Sequence, residues 1–295
     1  MVRFLLFIGS LLLAFISISS AGFAAEIGEL RFALSLSPGN NGQVRLRVDE
    51  ADGGRDRHSV DTSSTMPARD LIGLAPQQLL GPGSRPLRFA LVRDAGRLDC
   101  GGSGGEGRGS GRCLFSADQR FTAMLRQSGV RTDNRRELLG MMLLNVTRDL
   151  VLAVRQAGYV GATGNDLAGL AALGVTPAYI RELDRRGYRP DHLSDLTAFK
   201  ALGVTPEYVD ALVRAGFGRI PPREIVQLKA LGVSPDYLAQ LRSAGYTPFR
   251  SSEVAQMRAL GVTPADYARF RRVHGTVKVN KLVEAKALGL VDRDR

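Results

Sequence analysis

From Leu30 to Val48, apolar and polar residues alternate: Leu30, Phe32, Leu34 and Leu36 in ELRFALSL, then Val44, Leu46 and Val48 in QVRLRV. A period of two marks a half-buried strand, and SPGNNG between the runs is a hairpin turn signal. PLRFALV (86–92), a turn at RDAG and then RLDC predict a second hairpin, and RCLF (112–115) returns beyond a glycine-rich stretch. Four or five antiparallel strands are expected. The section from Ala51 to Pro86 is less regular, with a short helix expected at ARDLIGL.

Beyond residue 115 the rhythm changes to a helical period and begins to repeat. ALGVTPAYIRELDRRGY (172–188), ALGVTPEYVDALVRAGF (201–217) and ALGVSPDYLAQLRSAGY (230–246) follow one another at a step of 29 residues. The glycines of LGV (Gly174, Gly203, Gly232, Gly261) keep that step, as do Gly129, Gly158, Gly187, Gly216 and Gly245. NVTRDLVLAVRQAGY (145–159) joins the register with Asn145 where later copies have glycine, and SADQRFTAMLRQSGV (116–130) fits more loosely. NVT also matches the glycosylation sequon, but its position reads as a helix start.

Each copy spells out two helices. Thr176, Thr205, Ser234 and Thr263 stand where an N-cap hydroxyl is wanted, and a proline follows each at the first helical position. Tyr179, Ile180 and Leu183 form one apolar stripe, and Gly187, Gly216 and Gly245 end the helices with an aromatic to fold back. The second helix carries Asp195, Glu224 or Glu253 in its first turn. Its apolar side is Leu196, Phe199 and Leu202, then Ile225, Leu228 and Leu231, then Val254, Met257 and Leu260. Such short helices are marginal alone, and stacking is what buries their stripes. The expected fold is therefore α+β: a small antiparallel β-domain (25–115) followed by an α-solenoid (116–295) of five to six 29-residue helix pairs.

The first 24 residues read as a signal peptide. Arg3 precedes an apolar run from Phe4 to Ile18, and Gly22 and Ala24 suit cleavage before Ala25. The run is short for a membrane span of roughly 20 residues, so an exported protein, periplasmic or secreted, is expected. Export favours a disulfide between Cys100 and Cys113, the only two cysteines. A zinc site would need three or four ligands, and His58, His192 and His274 are scattered.

Charge is uneven. Residues 116–295 hold 27 Lys and Arg against 18 Asp and Glu, while 26–115 hold 12 against 11. Lys200, Lys229 and Arg258 recur at the 29-residue step and would stack into a basic ridge, with Arg185 and Arg214 beginning a second row that Ser243 breaks. Such a ridge is either the solvated face of the helices or a grip for a polyanion.

Other chemistry finds little footing. Gly102, Gly104 and Gly107 match G-x-G-x-x-G, but they lie between two cysteines in a hairpin with no helix after them. No serine elbow, H-E-x-x-H or nominated carboxylate pair is present. No catalytic residue, cofactor or metal is therefore assigned.

The pattern LxxLxxLGVTPEYVxxLRxAGY resembles a helical repeat of exported bacterial proteins. Similar repeats are appended to membrane-bound sensor metallopeptidases of the β-lactam-sensing type. LDCGGSGGEGRGSGRCLF resembles the segment preceding the repeats there, so the resemblance spans residues 87–290. It carries over no catalytic residue, because the membrane helices and zinc motif are absent from this sequence, and it implies a sensing or interaction module. LxxLGVTPEYVxxL is also similar to the helix-hairpin-helix motif of DNA-binding proteins. Here Gly203-Val204-Thr205-Pro206 replaces the second glycine and removes one amide, leaving anion binding to the helix N-terminus.

The function expected is a non-enzymatic exported protein whose repeats form an interaction or sensing scaffold in the cell envelope. Its first-ranked partner is an envelope protein, followed by an anionic polymer or membrane surface, with nucleic acid behind both. A polyanion binder acting through the ridge and helix N-termini is the alternative. An enzyme with its site in the β-domain ranks third.

Overall fold

The computed structural model describes residues 30–37, 42–50, 61–132 and 134–291. The stretch expected to be a signal peptide, His58 and the tip of the SPGNNG turn lie outside these. Among the described residues no helix is long and apolar enough to cross a membrane.

The amino-terminal part is one antiparallel sheet of seven strands: β1 (Leu30–Leu36), β2 (Gln43–Glu50), β3 (Asp61–Pro67), β4 (Leu71–Ile72), β5 (Arg85–Arg93), β6 (Gly96–Gly105) and β7 (Arg108–Ala117). Their order is β3-β2-β1-β7-β6-β5-β4. The two hairpins and the returning strand are where the alternation places them, but the count exceeds the four or five expected. The additions come from the section that read as irregular. DTSSTMP is β3, and ARDLIGL is a single 3-10 turn (Ala68–Asp70) running into β4 rather than a helix.

These two short strands set the sheet's shape. β3 and β4 lie at opposite edges, yet only Ala68–Asp70 separates them. Four peptide steps reach at most about 14 Å, whereas a flat seven-stranded sheet is roughly 29 Å across. The sheet must therefore curl until its edges meet, with one kinked segment pairing first with β2 and then with β5. Leu34, Leu46, Leu91, Leu98 and Phe115 fill the inside, where Phe32 meets Phe89 edge-on at 5.0 Å. Helix α1 (Gln77–Leu80) buries Leu79 at one end, and its carbonyl takes the amide of Gly107 from the β6–β7 turn at 2.6 Å.

The glycine-rich stretch is strand rather than loop. Gly102 and Gly111 stand opposite each other, and a Cβ on Gly111 would lie 2.6 Å from the Gly102 Cα and 2.7 Å from the Phe32 ring. Only glycine lets these backbones approach so closely. Cys100 and Cys113 are also direct partners across β6 and β7, with Cα atoms 4.1 Å apart, and they form a disulfide.

The rest of the described chain is helical. Helices α2 (Gln119–Gln127) and α3 (Arg135–Leu143) join the sheet's core through Phe121, Leu125, Leu139 and Met142. Arg93 fixes the joint by donating to the Met142 and Leu143 carbonyls at 2.9 and 2.6 Å, and Arg136 forms a forked pair with Glu50. Burial lowers the Arg93 pKa against the opposing pull of Asp70.

There follow α4 (Arg148–Gln156), α5 (Gly164–Ala172), α6 (Pro177–Arg185), α7 (Leu193–Ala201), α8 (Pro206–Leu212), α9 (Pro222–Ala230), α10 (Pro235–Ser243), α11 (Ser251–Ala259), α12 (Pro264–His274) and α13 (Val279–Ala287). Each touches its next-but-one neighbour, α4 with α6, α5 with α7 and onward to α11 with α13, giving two interleaved rows.

The local signals act as their residues dictate. Thr176, Thr205 and Ser234 each accept the amide three residues on, and Thr147 caps α4 the same way. Asn145 adopts φ +58, the left-handed conformation that glycine holds at the equivalent later positions. The amides of Tyr188 and Tyr246 bond back to Leu183 and Leu241, closing the expected helix ends. Gly216 departs from this. Its helix runs on through a π turn (Val213–Phe217), and a second left-handed residue, Gly218, follows. Leu202 and Leu260 also differ from expectation, being 38% and 42% exposed. They sit at C-caps, past the point where the stripe faces inward.

Candidate interaction surface

The predicted basic row has a specific geometry. Lys200, Lys229 and Arg258 occupy the last turns of α7, α9 and α11, where cations suit the helix dipole. Each lies over a tyrosine ring of the other row: Lys200 at 5.4 Å from Tyr179, Lys229 at 4.5 Å from Tyr208, Arg258 at 5.1 Å from Tyr237. A cation over an aromatic face is worth about 0.5–1 kcal/mol at an exposed site.

The same tyrosines reach one copy ahead. Tyr179 donates its hydroxyl to the Val204 carbonyl at 2.7 Å, Tyr208 to Val233 at 3.0 Å and Tyr237 to Val262 at 2.9 Å. Burial pushes the three phenols up to about 12. The row thus forms part of a ladder in which tyrosine fastens each copy to the next and a cation covers its ring.

The second predicted row is less ordered. Arg185 is exposed and paired with Glu182 on its own helix, and Arg214 is exposed beside Ala215, whose carbonyl accepts from Arg242. The neighbouring Arg186 is the organising cation. It binds Glu182 at 2.8 Å and Glu207 at 3.0 Å, and pairs with Asp210, tying α6 to α8. The hydrogen bond to Glu182, helped by the charges of Asp210, Glu182 and Glu207 and opposed by burial, raises the pKa of Arg186, and that of its partner Glu182 is lowered.

His192 and His274 lie apart. His192 precedes α7 without a side-chain capping bond, and His274 ends α12 with its ring 4.2 Å from Phe270. Among the described residues no three His, Cys, Asp or Glu side chains are grouped to hold a metal ion.

One basic surface is absent from the sequence reading. On the outer face of the curled sheet, Arg45 and Arg47 of β2 and Arg108 of β7 border a trough of about 650 Å³ floored by Ala33, Ser35, Ser103 and Ser110. Near-neutral composition over 26–115 conceals it. The alternation of β1 and β2 held half the signal, since the arginines occupy its polar positions. Compared with known proteins, the chain matches no family model and no curated sequence.

Proposed function

We propose that this chain is a non-catalytic exported protein whose five to six helix pairs stack as an α-solenoid and present a surface to a protein of the cell envelope. One observation carries the reading: the positions that recur at 29 residues are engaged within the chain. Thr and Ser cap, tyrosine reaches the next copy's carbonyl, and Lys or Arg covers the ring. Positions that differ between copies face outward, as with Glu207, whose side chain is 68% exposed and whose counterparts are Ala178 and Asp236. A scaffold with constant joints and variable faces suits partner recognition.

The polyanion reading through the ridge is the weaker one, because its cations already lie on rings. Capture by the full-length chain, at rising salt, separates the two. A saturable protein complex that persists at high salt and is weakened by R181E/R214E, at exposed positions outside the Arg186 network, supports the scaffold. Retention of DNA or heparin alone, lost steeply with salt and in K200A/K229A/R258A, overturns it.

A further inference from the structure

We infer that the trough on the outer face of the sheet is a binding site for an anionic polysaccharide, independent of how the helices are used. The outward rows are fixed by register. Arg47 of β2 is followed by Ala33 on β1, Ser110 on β7 and Ser103 on β6, and the next row runs Arg45, Ser35 and Arg108. On the other side Arg31 and Arg112 stand opposite each other, with Asp49 beyond Arg31 and its carboxylate 3.9 Å from the Arg47 guanidinium, so that a bound anion would share Arg47 with it. The face thus carries arginine on both sides of a floor of alanine and serine, although the surrounding sequence is nearly neutral.

Three features select the ligand. Arginine presents a planar fork that matches the oxygens of sulfate, phosphate or carboxylate, and it stays charged at all relevant pH values. Its spacing, about 7 Å along β2 and about 10 Å across two strands to Arg108, suits several separated anions better than one small ion. Exposed hydroxyls of Ser84, Ser103 and Ser110 line the same space, giving donors and acceptors for sugar hydroxyls.

The lining also argues against the other polyanions. It holds no aromatic side chain on which a base could stack. It has no exposed large apolar side chain to enter a bilayer, its one leucine, Leu34, being buried. Glu106, in the β6–β7 turn, also lines the trough and would repel a negatively charged chain from its own side of it. The floor is small because the outward positions of β1, β7 and β6 there are alanine and serine.

The test uses the full-length oxidised protein with heparin as the sulfated probe, polygalacturonate as the carboxylated probe and single-stranded DNA as the competitor. Binding to one or both glycans is expected, the stronger naming the anion, and weakening as salt rises. R45A/R47A/R108A, all at strand surface positions, should bind at least about tenfold more weakly, while K200A/K229A/R258A should bind as the parent does. On the unaltered protein, glycan should shield Arg45, Arg47 and Arg108 from arginine-selective modification, which removes dependence on how variants fold. No glycan binding at low salt, unchanged affinity of the sheet variant, absence of shielding, or tighter binding to DNA would each overturn the assignment.

Discussion

Asp266 stands three residues after the Thr263 cap, the place held by Tyr179, Tyr208 and Tyr237 in α6, α8 and α10. It is 1% exposed and is paired with Lys286 at 3.1 Å. Lys286 in turn is the counterpart of Lys200, Lys229 and Arg258, so α12 and α13 keep the cation and exchange the aromatic ring for a carboxylate. Burial works against that charge. Hydrogen bonds from the Thr263 amide and hydroxyl and from the Lys286 ammonium outweigh it and hold Asp266 below its usual range. A depressed carboxylate contributes stability above its unfolded pKa of about 3.9, and that contribution is lost as pH falls through the lower folded value. Arg269 lies 4.0 Å from the other carboxylate oxygen, so removing Lys286 leaves the buried charge with only this more distant cation, and K286M should cost about 3 kcal/mol at neutral pH. D266N keeps an oxygen for the Thr263 amide but no charge, and in that background K286M should cost about 1 kcal/mol. Urea unfolding of the four-member cycle measures the coupling. Equal costs of K286M in both backgrounds would remove the ion pair from the account.

At the scale of elements, the tyrosine ladder ties alternate helices together. Tyr208 leaves α8 to reach Val233, the residue before the cap of α10, while its ring takes Lys229 from α9. Y208F should keep the ring contact and lose the hydroxyl's bond, at about 1 kcal/mol. Alkali acts on the same groups. A phenol raised to about 12 when folded gives stability that is complete below the unfolded value of about 10 and is lost as pH rises through the folded one. The parent should therefore lose helical stability between these limits. Y179F/Y208F/Y237F, weaker at neutral pH, should lose less over the same interval; identical losses in urea melts at both ends would exclude the ladder. The helices that carry it were legible because their starts and stops are local: threonine before proline, and glycine where the backbone turns left-handed. The cation row was legible as a row, but its purpose was not, since nothing in a sequence says which helix supplies the ring. Strand β3 was missed for a related reason. DTSSTMP has no apolar alternation of its own and becomes a strand by pairing with β2.

At the scale of the whole molecule, the sheet and the helices are held by different kinds of contact. Five of the six strand pairs join strands consecutive in sequence and only β1 with β7 joins distant ones, so closure depends on that pair and on the kinked segment from Asp61 to Ile72 meeting β2 on one side and β5 on the other. Beyond α4 the helices pack chiefly on their next-but-one neighbours in sequence, so a disturbance in one of them need not cross to the far end. The outward arginines of the sheet, too, share a face only because distant strands are brought into register. The Cys100–Cys113 disulfide lies wholly within the sheet and spans 13 residues of the β6–β7 hairpin. On the loop-entropy model it stabilises this region by about 3 kcal/mol. Its reduction should accelerate amide exchange across β1 to β7 and, through the Arg93 bonds to Met142 and Leu143, to a smaller degree in α3. Helices from α6 onward should keep their protection. Hydrogen exchange read by mass spectrometry, with and without reductant, gives the profile along the chain. Uniform acceleration from β1 to α13 would mean that sheet and helices unfold as one unit, whereas a boundary after α3 would place the division where the arginine joint ends.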